Sequence, residues 1–64
     1  MSRDAEALLK CLYETSPNSG DFISIGVLAQ AMGWNLVRMQ RAMDELVDRG
    51  LALGVPLKNA IARP

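Results

Sequence analysis

Between Ser24 and Gly50 the chain reads SIGVLAQAMGWNLVRMQRAMDELVDRG. Apolar side chains recur there at helical spacing twice over. Ile25, Leu28, Ala29 and Met32 make one stripe; Met39, Ala42, Met43 and Leu46 make a second, so each half predicts a helix with one buried face. Ser24 and Asn35 stand just before the two runs, where a side-chain oxygen can take backbone N–H groups that have no partner inside a helix. Gly33 and Gly50 stand just after them, where a left-handed residue commonly ends a helix. Starts, stops and periods agree, which predicts helices over 25–32 and 36–49 joined by a tight Gly33-Trp34-Asn35 turn.

Upstream, Ser2 can cap a helix from about Arg3 to Glu14, with Asp4 and Glu6 near its positive N-terminal end. Its apolar stripe is Ala5, Leu8, Leu9 and Leu12; Cys11 and Tyr13 lie beside it, and Cys11 reads as a small, partly buried side chain. Turn formers fill Thr15 to Gly20, and Pro17 bars further helix, so this stretch is a loop. Phe22-Ile23-Ser24 is a short extended piece leading into the Ser24 cap.

After Gly50 the period drops towards 2. The expectation is a hairpin from 51 to 62, one strand near Leu51 to Leu53 and a return near Asn59 to Ala62, with Pro56 in or beside its turn because proline cannot donate to a ladder. The fold class is therefore mainly α with a small β wing, in one domain over 1–64. Leu8, Leu9, Leu12, Leu28, Met32, Met39, Met43, Leu46 and Leu51 are the expected buried set. Trp34 is expected to cover the edge of this core, and the four methionines to fill it.

The run ISIGVLAQAMGWNLVRMQRAMDELVDRGLA, with its opening apolar residue, Leu28-Ala29, the Gly33 turn and Leu46 four residues before Gly50-Leu51, resembles the winged helix-turn-helix core of bacterial and phage transcriptional regulators. The resemblance implies a three-helix winged helix-turn-helix that binds double-stranded DNA, in transcription or replication control. The helix from Asn35 to Arg49 would enter the major groove with its N-terminal half, and the hairpin wing would touch backbone or minor groove. Residue by residue, this points to Asn35, Val37, Arg38, Gln40 and Arg41 on the helix and Lys58 on the wing, with Arg63 beyond it as a further cation.

Charge leaves a second class open. Seven basic and seven acidic residues cancel, whereas a stand-alone nucleic-acid binder is usually basic. Arg38 and Arg41, three apart, are expected to share a face opposite Met39 and Met43, while Asp44, Glu45 and Asp48 form a solvated acidic end. Arg41 and Arg49 could each pair with Glu45. The alternative is a winged helix used for protein contacts, with a partner protein or a second copy of itself as homodimer, through Leu36, Val37 and the hairpin; fold alone cannot choose between them.

Other classes find little support in the sequence. There is no His and one Cys, so no zinc cluster, internal disulfide or catalytic nucleophile–base pair can be assembled, and no cofactor, metal or small-molecule substrate is expected. No apolar run approaches the roughly 20 residues that span a bilayer, and no signal-peptide core follows Arg3, Asp4 and Glu6. A cytoplasmic binding module, not an enzyme, is the expectation.

Overall fold

Three residues start three helices in the same way. In the computed structural model, which describes residues 1–16, 18–55 and 59–64, the Ser2 hydroxyl accepts the Ala5 N–H at 3.1 Å and opens α1 (Arg3–Thr15). Ser24 accepts the Gly26 N–H at 3.2 Å and opens α2 (Ile25–Met32). Asn35 Oδ1 accepts the Arg38 N–H at 2.8 Å and opens α3 (Leu36–Asp48). Each cap satisfies a donor that the first turn leaves without an intrahelical partner.

Two of the helices also stop in the same way. Gly33 and Gly50 have φ of 70° and 72°, a left-handed conformation that costs glycine nothing. After α2, the Trp34 N–H reaches the Ala29 carbonyl and the Gly33 N–H that of Gln30; after α3, Leu51 reaches Leu46 and Gly50 reaches Val47. Both are the paired closing bonds of a Schellman turn, and they aim the chain away at a fixed angle.

The strands are short. β1 (Ile23–Ser24), β2 (Leu53–Gly54) and β3 (Ala60–Ala62) form one antiparallel sheet in the order β1-β3-β2. Ile61 is its centre, opposite Ile23 on one side and Gly54 on the other. The expected hairpin thus gains a third strand from Phe22-Ile23-Ser24, and the Ile25 N–H adds a bond to the Asn59 carbonyl. Three helices with this small sheet are compatible with a winged-helix fold.

The core lies between α1, α2, α3 and the sheet, and consists of aliphatic side chains and two methionines: Ala5, Leu8, Leu12, Ile25, Leu28, Ala29, Met39, Ala42, Met43, Leu46, Ala52 and Ile61. Leu9, Cys11, Ile23, Met32 and Trp34 pack against its edge. Four expectations are corrected: Leu9 and Met32 are half-buried, Met1, expected with the other methionines to fill the core, is exposed, and Leu51 is exposed, its place taken by Ala52. The cause is the turn after α3. Leu51 donates its N–H to Leu46, so it closes the helix instead of opening the strand, which begins at Leu53 and not Leu51. The positions expected for Pro17, Pro56 and Lys58 lie outside the described residues. Among the described residues no helix is long and apolar enough to cross a membrane.

Candidate nucleic-acid interface

The buried stripe of α3, Met39, Ala42, Met43 and Leu46, fixes what the rest of the helix presents. At 100° per residue the opposite ridge is Val37, Arg41, Asp44 and Asp48. Val37 is 60% exposed, Arg41 and Asp48 are exposed, and Asp44 is half-buried. Leu36, 53% exposed, and half-buried Gln40 lie on the flank that carries Val47; a Cβ on Gly54 of β2 would stand 3.2 Å from Val47 Cγ2. Arg38, Glu45 and Arg49 line the other flank.

On that second flank α3 meets the start of α1. The Arg38 guanidinium forms a two-pronged bond with Asp4, Nε to Oδ2 at 2.9 Å and Nη2 to Oδ1 at 3.0 Å. Its carbon also lies 4.2 Å from the centroid of the Trp34 ring, a cation–π stack. Arg38 occupies the first turn of α3, where the helix dipole opposes a cation, and no carboxylate stands three or four residues away; Asp4 supplies the missing countercharge. The guanidinium in turn holds the Asp4 carboxyl below its ordinary value. Two turns on, Glu45 Oε2 accepts the Ser2 backbone N–H at 2.8 Å and lies 3.7 Å from Arg49 Nε. Hydrogen bonds from Ser2, with a smaller contribution from the Arg49 charge, lower the Glu45 carboxyl.

The expected site is therefore divided. Arg38 and Arg41, three residues apart on α3, are both exposed, but Arg38 is bound to Asp4, whereas Arg41, among the described residues, forms no ion pair. Asn35, exposed, spends its carboxamide oxygen on the Arg38 N–H of its own helix. Glu45 pairs with Ser2 and Arg49, not with Arg41, so the acidic end is not wholly a solvated face. Lys58 lies outside the described residues. Arg63, expected as a further cation for phosphates, instead straps the C-terminal strand to the first helix. Its Nη1 donates to the Ser16 carbonyl at 3.1 Å, its guanidinium carbon lies 4.2 Å from the Tyr13 ring centroid, and its own carbonyl accepts the Gly20 N–H.

Asp4, Glu45 and Arg63 acquire these roles through contacts between residues far apart in the chain. One sign in the sequence could have flagged the first: a first-turn arginine with no acid within one helical turn needs a partner from another element. Together the outward ridge carries Arg41 and the side chains of Asp44 and Asp48, with apolar Val37 at its start and Leu36 on the adjoining flank. No protein-family model, curated protein or solved structure matches the chain.

Proposed function

We propose that this domain is a cytoplasmic, non-enzymatic module that binds double-stranded DNA through the N-terminal half of α3, in the service of transcription or replication control. The observation that carries the proposal is the outward stance of Arg41 on the second helix of a capped helix-turn-helix. Arg41 is long enough to reach a guanine edge or a flanking phosphate. Asn35, Val37, Gln40 and Arg38 surround it, Lys58 belongs to the segment between β2 and β3, and Asp44 and Asp48 sit at the far half of the helix, away from the groove.

Few cations are available, so the proposal includes weak binding by a lone domain. Engaging two to four phosphates gives a salt slope of about −2 to −4 on logarithmic axes. Titration of a labelled duplex at several salt concentrations tests this. Replacing Arg41 by Ala should cost about 1–3 kcal/mol if a base contact is lost, whereas losing Lys58 should weaken all sequences alike and flatten the slope by about one.

Leu36 and Val37 favour a second reading, protein docking by a partner or a second copy, because they expose 53% and 60% of their surface in the first turn of α3. In that case Leu36→Asp or Val37→Asp abolishes partner binding or self-association, Arg41→Ala leaves it intact, and no DNA affinity appears even at low salt.

A further inference from the structure

Resting on the DNA-binding reading above, we infer that Asp4 is a built-in competitor for DNA phosphate at Arg38: it occupies the guanidinium fork that a phosphodiester would otherwise fill. Three observations carry this. The pair is made at the surface, with the Arg38 and Asp4 side chains 48% and 40% exposed, so a third group can approach it. The Asp4 carboxylate takes Nε and Nη2 together, the two-pronged geometry by which arginine also grips phosphate oxygens. Trp34 holds the guanidinium from its face, 4.2 Å away, so when Asp4 leaves, the fork stays aimed and little side-chain freedom is lost on taking a phosphate.

Placement completes the argument. Arg38 lies in the first turn of α3, one turn from Arg41, and an exposed ion pair is a weak tie, so exchange of one anion for another at this position is cheap. Free of DNA, Asp4 cancels the charge of Arg38 and offsets the unfavourable position of a cation at a helix start. Bound, a phosphate takes over both tasks. Asp4 thus lowers the affinity for any duplex without touching sequence preference, and Trp34 is the platform that positions Arg38 in both states.

The test measures binding of a fluorescein-labelled random-sequence duplex by anisotropy at low and moderate salt, for the parent, Asp4→Asn, Arg38→Ala, the double variant, and Glu6→Gln. The last makes the same change of net charge in the first turns of α1, and among the described residues Arg38 bonds Asp4 and not Glu6. Asp4→Asn should bind roughly two- to fivefold tighter than Glu6→Gln, the range set by the strength of an exposed ion pair, and its salt slope should steepen by about 0.9, one further phosphate. In the Arg38→Ala background the Asp4 change should do no more than Glu6→Gln. Circular dichroism checks that each variant is folded, and Asp4→Ser, equally at home near a helix start, replaces Asp4→Asn if the amide unfolds the domain. Equal affinities for the Asp4 and Glu6 variants, in a parent that binds DNA, would overturn the inference and leave the DNA reading standing. Absence of duplex binding by every variant at low salt would overturn both.

Discussion

Glu45, in the last turn of α3, takes the backbone N–H of Ser2, the residue that caps α1. A side chain at the end of one helix thereby fixes the entry of another, and it holds more strongly while ionised. Asp4 and Arg38 make a second tie between the same two helices.

Both carboxyls are held below their ordinary values of 3.8 and 4.5, which sets the sign of a pH effect. A lowered carboxyl contributes stability that is fully present above its unfolded value and is lost as pH falls through its folded one. Thermal melts should therefore be flat above about pH 5 and fall steadily as pH drops through 4.5 and then 3.8 and below. Glu45→Gln should melt lower than the parent at neutral pH and lose less on acidification. An acid limb as deep in Glu45→Gln as in the parent would contradict the assignment.

The two helix ends give a backbone prediction. Gly33→Ala and Gly50→Ala meet open space but a left-handed φ, and each should lower stability by about 1–2 kcal/mol in a denaturant titration. Gly54→Ala has the reverse problem, ordinary φ and a Cβ 3.2 Å from Val47 Cγ2. Val47 is 37% exposed and can turn aside, so Gly54→Ala should cost less than the other two, and Val47→Ala should remove most of its cost.

Arg63 is predicted to matter for folding rather than for DNA. Its guanidinium covers Tyr13 and bonds the carbonyl of buried Ser16. Truncation to Ala leaves that carbonyl without this donor, a loss of about 1–3 kcal/mol. Arg63→Lys should restore only part of it, because an ammonium lacks the planar fork that stacks and donates at once. Arg41→Ala, on the open ridge, should stay within about 0.5 kcal/mol of the parent in stability.

Leu46 and Leu51, five residues apart and both leucine, should differ sharply. Leu46 is fully buried and Leu51 is 37% exposed; Leu46→Ala should cost about 2–5 kcal/mol by leaving a cavity, and Leu51→Ala well under half of that. Ala52→Leu, at a buried position, should cost about 1–3 kcal/mol through overpacking. Urea unfolding of the three variants side by side checks the order.

These pairs mark where the sequence was readable. Capping and periodicity are local, so Ser2, Ser24 and Asn35 announce helix starts, Gly33 and Gly50 announce stops, and the stripes from Ala5 to Leu46 were legible within a residue or two. Leu51 and Ala52 were not, because which of two neighbours turns inward depends on a closing bond between Leu51 and Leu46 that no alternation encodes. The extended Phe22-Ile23-Ser24 piece was legible as extended, but its place beside β3 was not. At the candidate site, Arg41 is exposed, whereas the partners of Arg38, Glu45 and Arg63 include Asp4, Ser2, Tyr13 and Ser16. Helical spacing cannot reveal partners that only tertiary packing brings near.

The strand order β1-β3-β2 also orders events in time. Ile23 and Gly54 meet only through Ile61, which follows all three helices in the chain, so during synthesis the helices can form while β1 and β2 still wait for their common partner. Most of the sequence separates Ile23 from Ile61, and closing so long a loop carries an entropic cost that local helix contacts do not. Until Ala60–Ala62 have emerged, β1 and β2 have no strand to pair with, so the sheet can close only after all three helices have been made.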